Sequence, residues 1–439
     1  MFRITFSLLT LITFTVNALN NGVGKTPVMG YNGIVIYFPC SRADKILLQA
    51  WNVFQCNINE NLLLEQAKLL KSLGLFDVGY KQFNLDDCWA QKNRTAEGLV
   101  MPDSEKFPSG FNSFTDQLHQ LGFKAGIYSD SGWFTCAGYP GSFEHEESDV
   151  EQFTGWGFDF LKYDNCYIPF DDIIREGIVG KYQRMADAIA EVAKKKGGSP
   201  MLFSLCEWGW LLNAWCLEAN WNSLASIIDT QSFIASATDF YGHNDMDMLQ
   251  LGNGGLTFEE SNLRVDHTIR SHFTAWALSK SPLLIGTNLS AVTPDIVSIL
   301  KNEEIIAINQ DPEFGTSVTP FRWGIYPDWV SNPSSPAQYW SGQSQNGTVF
   351  MILNTQNEPA EMFFSLTESP WIRAGRQYAV RDLWAHTNNG TAIRNMTFTL
   401  PPHGVAALVL TDAGDEPAGI SPPCAVLDNC SAENGTQFN

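Results

Sequence analysis

The sequence predicts an α/β chain, a (β/α)8 barrel followed by a small antiparallel β domain, and three observations carry that reading. From about Thr26 to Asn309, short apolar strand candidates alternate with helical stretches. The strand candidates end in polar or aromatic clusters, and after about Pro312 the texture changes to short alternating segments between Asn, Gly and Pro turns. Strands alternating with helices make βαβ units and a parallel sheet. Polar residues recurring at strand C-termini are what a barrel active site requires. A doubly wound sheet would normally carry a glycine-rich phosphate loop, and the chain has none.

The strand candidates are Lys81–Leu85, Lys124–Ser129, Phe158–Tyr163, Met201–Cys206 and Pro282–Ile285. Four lead into Asp86-Asp87-Cys88-Trp89, Asp130-Ser131-Gly132, Asp164-Asn165-Cys166 and Glu207-Trp208. Between them Glu60–Leu73, Phe114–Leu121 and Tyr182–Lys195 space apolar residues at i, i+3 and i+4, which is helical. The barrel is drawn over residues 26–311. The β domain, over 316–412, takes its strands from Gly347–Leu353, Arg376–Val380, Met396–Leu400 and Val405–Leu410. Residues 413–439 are small and polar and read as a flexible tail in which Cys424 and Cys430 can close a local loop.

The first 18 residues read as a signal peptide. Arg3 is the basic n-region, Ile4 to Val16 the apolar h-region, and Val16-Asn17-Ala18 a small-residue cleavage site. Seven Asn-x-Ser/Thr sequons, at Asn93, Asn288, Asn346, Asn389, Asn395, Asn429 and Asn434, fit a secreted, extracellular chain. Nine cysteines in an exported chain imply disulfides, and the odd count leaves at least one unpaired. A net charge of −20 argues against nucleic acid and anionic membranes as partners. No apolar run is long enough for a transmembrane helix.

Glycoside hydrolysis needs two carboxyl groups flanking the scissile bond and partners for the sugar hydroxyls. The strand ends supply Asp86, Asp87, Asp130, Asp164, Glu207, Asp245 and Asp247, with Trp89, Tyr128 and Trp208 available to stack on a sugar face. A metal-dependent hydrolase is the weaker reading, because the seven histidines form no ligand spacing and Lys162 beside Asp164 opposes a cation.

At these residues the chain resembles the melibiases, the family 27 glycoside hydrolases. Lys162-Tyr163-Asp164-Asn165-Cys166 is similar to that family's nucleophile motif. Asn84-Leu85-Asp86-Asp87-Cys88-Trp89, Gly126 to Asp130, Thr135 to Ser142, Leu205 to Gly209, Asn244 to Leu249 and Ser281 to Gly286 continue the resemblance in order. It covers roughly Thr26 to Leu410. It implies a TIM barrel with a C-terminal β-sandwich, no cofactor, and retaining hydrolysis of terminal α-galactosyl groups from oligosaccharides or galactomannan. Asp164 would be the nucleophile, with Lys162, on the same strand face, holding it ionised and bonding a sugar hydroxyl. Asp86 and Asp87 would grip distal hydroxyls, Trp51 and Tyr128 would shape the pocket, Cys166 would line it, and Glu207 and Trp208 would sit near the 2-position. A carboxylate there favours a 2-hydroxyl over an N-acetyl group, so α-galactosidase is preferred to α-N-acetylgalactosaminidase, which stays open. The resemblance also pairs Cys56 with Cys88 and Cys136 with Cys166. Oligomeric state is not legible.

Three departures from the family pattern stand out. Between Asn32 and Trp51 lie 18 residues, Gly33 to Ala50, where the family has one. The excess is the size of a short fungal-type intron, and splicing it out would leave Met-Gly-Tyr-Asn-Ala-Trp-Asn, so Gly33–Ala50 reads as a retained intron, with a surface loop as the alternative. The interval after Trp208 is short by about a dozen residues and lacks the expected Trp-Arg pair and acid/base aspartate. Glu218 is the only acid between Gly209 and Trp221, and its context is that of the next helix. The acid/base is thus unassigned, with a deletion near Ala214–Glu218. Ser261 to Ile269 adds about eight residues before Arg270, as a loop or a boundary error. Loss of the acid costs about 10²–10⁴-fold, so the chain as written either cleaves natural galactosides poorly or is a galactose-binding relative.

Overall fold

The computed structural model describes residues 21–32, 54, 56–206, 220–256, 263–324 and 334–419. Residues 1–20, over which a signal peptide is expected, the Gly33–Ala50 segment, Trp51, Glu207, Trp208, the Ala214–Glu218 interval and the tail beyond residue 419 lie outside the described residues.

The first half alternates as the sequence predicts: β1 (Met29–Asn32), α1 (Glu60–Ser72), β2 (Gln82–Asn84), α2 (Phe111–Gln120), β3 (Lys124–Asp130), α3 (Glu146–Gly155), β4 (Phe160–Asp164), α4 (Ile178–Lys196) and β5 (Leu202–Leu205). Then come α5 (Trp221–Ile234), α6 (Leu263–Leu278), β6 (Leu283–Ile285), α7 (Pro294–Leu300) and α8 (Glu303–Asn309). The helices form for local reasons. In α1 the apolar positions Leu63, Leu64, Ala67 and Leu70 are all buried on one face, and the Asn59 side chain caps its N-terminus by accepting from Leu62 N at 3.0 Å. Helix α4 ends at Gly197, whose φ of 65° only glycine adopts without strain, with Lys194, Lys195 and Lys196 facing the negative end of the helix dipole. Residues 263–269, part of the segment read from sequence as an extra loop or a boundary error, are the first turns of α6.

The six strands form one parallel sheet in the order β5-β4-β3-β2-β1-β6, curled as a barrel wall. Leu249 adds a single parallel bridge to Ile285 beyond β6, with Leu249 N donating to Leu284 O at 2.8 Å and Gly286 N to Leu249 O at 2.9 Å. Between β5 and this bridge the described residues supply α5 but no strand. That is the interval where the sequence is short, and there the described wall stays open.

The second half is an eight-stranded antiparallel sheet, β7 (Thr319–Arg322), β8 (Tyr339–Ser344), β9 (Gly347–Leu353), β10 (Ala360–Ser365), β11 (Arg376–Asp382), β12 (Thr387–Ile393), β13 (Asn395–Leu400) and β14 (Val405–Asp415), ordered β10-β13-β12-β11-β14-β9-β8-β7. β14 runs three residues past the boundary drawn at 412. The period of two splits its side chains between two cores. Val349, Met351 and Leu353 of β9 join the barrel's core, while Phe350 and Ile352 join the β domain's own. Polar contacts reinforce the seam: Arg381 bonds Glu304 at 2.7 and 2.9 Å, Asn302 Nδ2 donates to Leu383 O at 2.9 Å, and His403 stacks on Trp221 at 4.0 Å. No helix among the described residues is long and apolar enough to cross a membrane.

Candidate active site

Parallel strands deliver their C-terminal residues to one mouth of the barrel. The register aligns Tyr128 with Lys162 and Asp130 with Asp164 across β3 and β4. Asp86 and Asp87 follow β2 after a single residue, Leu85. Four acids thus crowd one small volume, and their exposures separate their tasks. Asp86, Asp87 and Asp130 are 0–1% exposed, whereas Asp164 keeps 7%.

Asp130 is a structural carboxyl. Its Oδ1 accepts from Gly132 N at 2.8 Å and Cys166 N at 3.0 Å, tying the loop after β3 to the loop after β4. Burial, then the neighbouring Asp164, push its carboxyl well above the usual carboxylate range. Asp87 is held in a similar way. Its oxygens accept from Cys88 N at 2.6 Å, Thr135 Oγ1 at 2.9 Å and Ala137 N at 3.1 Å, and burial raises it to about 6 against those hydrogen bonds.

Lys162 has a second carboxylate beside it. Its Nζ pairs with Asp86 Oδ2 at 2.7 Å, and Asn32 Nδ2 donates to the same oxygen at 2.8 Å. Burial opposes the charge, but Asp86, Asp164 and Asp247 outweigh it and hold Lys162 above the ordinary lysine value. Asp164 Oδ2 accepts from Tyr128, whose hydroxyl donates at 2.9 Å. Tyr128 is fully buried, so it orients the carboxylate and offers no stacking face. Trp89 is likewise no sugar platform. It is 3% exposed, packs against Phe111, Phe153 and Trp156, and gives its indole N–H to Tyr128 O at 2.9 Å.

Asp164 is anchored from behind. Its main-chain oxygen accepts from Ser131 N at 3.0 Å and Ser131 Oγ at 2.8 Å, and its Oδ1 accepts from Asn165 N at 2.8 Å. Asp245 and Asp247 lie half-buried at the mouth beyond β6, with burial raising Asp247 to about 6 against the pull of Lys162. Three side-chain-bearing residues around this mouth take left-handed backbone: Cys88 at φ 68°, Tyr167 at 47° and Asp247 at 69°. Such conformers cost energy and gather at functional sites.

Cys56 is joined to Cys88 and Cys136 to Cys166. Asp130, Cys136, Asp164 and Cys166 lie close enough to resemble a metal cluster, but the two sulfurs are bonded to each other and supply no thiolate. Cys206 at the end of β5 is a free thiol, which sequence reading did not single out. Glu218 lies outside the described residues, so the geometry offers nothing new on the acid/base.

A parallel barrel wall whose strand ends gather an oriented carboxylate, a lysine–carboxylate pair and buried acids, joined to an antiparallel β domain, defines a glycoside hydrolase. Residues 48–216 and 210–311 match the family model for alpha galactosidase A, and residues 334–410 match the alpha galactosidase C-terminal beta sandwich domain. The chain belongs to this alpha-galactosidase family, the melibiases. It is 35% identical to a probable alpha-galactosidase B of Talaromyces emersonii over 89% of this chain and 93% of that one. It is also 35% identical to an alpha-galactosidase of Cyamopsis tetragonoloba, covering 89% and 87%. Alpha-galactosidase I from Mortierella vinacea shares the fold with a TM-score of 0.74 at 30% identity, over 91% of this chain and 100% of that chain.

Proposed function

We propose that the chain is a retaining exo-α-galactosidase, with Asp164 as the nucleophile. The observation that supports it best is the Asp164 carboxylate itself: the most accessible of the four clustered acids, oriented by Tyr128 and flanked by the Lys162–Asp86 pair. Its oxygen attacks the anomeric carbon as the bond to the leaving oxygen breaks, giving a glycosyl-enzyme that water then hydrolyses with net retention. Lys162 and Asp86 supply donors and acceptors for the distal hydroxyls. A relative from Saccharomyces cerevisiae, 27% identical with a TM-score of 0.73 over 90% of this chain and 99% of that chain, was solved with raffinose, and terminal galactosyl groups of such oligosaccharides or of galactomannan are the substrates we assign. We read residues 1–18 as an export signal. Asn93, Asn346, Asn389 and Asn395 are exposed, as glycan acceptors of a secreted chain must be.

With the acid/base unassigned, the leaving group itself decides the rate. The p-nitrophenolate of p-nitrophenyl α-galactoside departs without a proton, so formation of the glycosyl-enzyme on this substrate tests Asp164 without the acid. Turnover abolished by Asp164→Ala is the expected result. Soluble, folded protein with no turnover would overturn the enzyme reading in favour of galactose binding alone.

A further inference from the structure

The two loops that carry the nucleophile's neighbours also present aromatic rings to solvent. Trp133 and Phe134, after β3, are 46% and 49% exposed, and Tyr167 and Phe170, after β4, are 57% and 77% exposed. A soluble chain leaves large apolar groups adjoining one another in water chiefly where something binds.

These rings are held in place. Trp133 is braced edge-on by buried Phe143 at 4.5 Å, and Phe134 meets Tyr167 edge-on at 6.0 Å. Trp133 and Phe134 start a short hairpin, closed by Gly141 N donating to Trp133 O at 3.0 Å and Thr135 N to Tyr139 O at 2.8 Å. Trp133 N donates to Tyr167 O at 3.2 Å, and the Cys136–Cys166 disulfide ties the two loops. Gly132 permits this approach: a Cβ there would sit 1.9 Å from Cys166 O. Tyr167 is projected by its left-handed backbone.

We infer that Trp133, Phe134, Tyr167 and Phe170 form a binding rim for the sugar chain on the leaving-group side of the scissile bond, the backbone of a branched polysaccharide such as galactomannan. This rests on the proposed α-galactosidase reading. The rim is continuous with the pocket, because its residues sit within six positions of Asp130 or Asp164 on the same loops. A pyranose presents a flat C–H face that matches an aromatic ring, and an oligosaccharide with one leaving-group sugar needs one ring. Several rings in a fixed arrangement fit successive units of a chain.

The test uses the full chain carrying Asp164→Asn, so that no substrate is consumed, and measures binding of galactose, unsubstituted mannohexaose and galactomannan by calorimetry. Galactomannan is expected to bind tighter than galactose. Phe134→Ala and Tyr167→Ala should each weaken mannohexaose and galactomannan about two- to tenfold and leave galactose unchanged. Phe134→Leu and Tyr167→Leu keep apolar volume without a ring face, and should show the same loss if the alanine variants misfold. Equal affinity for galactomannan and galactose, or rim variants that keep the parent's affinity for mannohexaose, would overturn the rim. Mannohexaose binding without galactose binding would support the rim while sinking the galactosidase reading.

Discussion

Tyr128 Oη lies 2.9 Å from Asp164 Oδ2, although in the register of β3 and β4 Tyr128 faces Lys162 and Asp164 faces Asp130. The tyrosine reaches one pleat forward to the carboxylate, and the lysine it would otherwise neighbour turns to Asp86. The strand register thus divides orientation from charge balance: Tyr128 aims the carboxylate of Asp164, the proposed nucleophile, and Lys162 pairs with Asp86 beside it.

Removing the hydroxyl should therefore hurt chemistry more than folding. Tyr128→Phe is expected to lower kcat on p-nitrophenyl α-galactoside about tenfold to a hundredfold, since a hydrogen bond to a charged group contributes about 1.5–3 kcal/mol. Unchanged kcat in a variant with parent-like stability would show that Asp164 needs no such aim.

Lys162→Met should lower stability as well as substrate affinity. Breaking a buried ion pair costs about 3–5 kcal/mol, and we expect the lower end because Lys162 retains 19% exposure while Asp86 has 1%. Urea unfolding measures it. Lys162→Met with Asp86→Leu should recover part of the loss, and a double variant as unstable as the single would contradict the pairing.

His272 gives a pH prediction. It is fully buried against Trp276, with neither ring nitrogen hydrogen-bonded, and burial pulls it down to about 3. In the unfolded chain an imidazole takes its proton near a pH of about 6.5. Below that pH the unfolded state binds a proton the folded state does not, so stability is lost as pH falls from about 6.5 towards 3. His272→Leu should gain on the parent by about 2.7 kcal/mol between pH 7.5 and pH 4.5. Parallel curves of unfolding midpoint against pH for the two proteins would refute this. The comparison by difference is needed because Asp87, Asp159 and Asp247, each raised to about 6 by burial, act in the opposite direction over the same range.

The Cys136–Cys166 bond closes a 30-residue span, for which loop entropy predicts about 3–4 kcal/mol. Cys136→Ala with Cys166→Ala should lower the unfolding free energy by that order and weaken galactomannan binding along with it. A pair that lowers stability without touching polysaccharide affinity would separate the disulfide from the rim.

Much of this was readable from sequence because strand ends announce themselves. Lys124–Asp130 and Phe160–Asp164 alternate apolar residues and stop at acids that accept backbone N–H groups of the next turn. β1 was not singled out as a strand, since Met29-Gly30-Tyr31-Asn32 is short and carries glycine where a Cβ would sit 2.1 Å from Gln82 O. The pairing of Lys162 with Asp86 and the burial of Trp89 were not legible for a common reason. Sequence gives the strand face, but it does not say which neighbouring strand's side chain fills the space in front of it. The rim was missed because Trp133-Phe134 and Tyr167 look like core aromatics until their exposure is measured.

The alternation along β9, with Val349, Met351 and Leu353 turned to the barrel and Phe350 and Ile352 to the β domain, bears on how such a chain can be inherited. A sheet whose two faces serve different cores cannot be handed to another protein as a free-standing module. Nor can the barrel shed it without leaving a greasy wall in water. Gene fusions or truncations at residue 315 should therefore yield insoluble halves, and natural variation should accumulate in the turns between the strands and leave their inward rows alone.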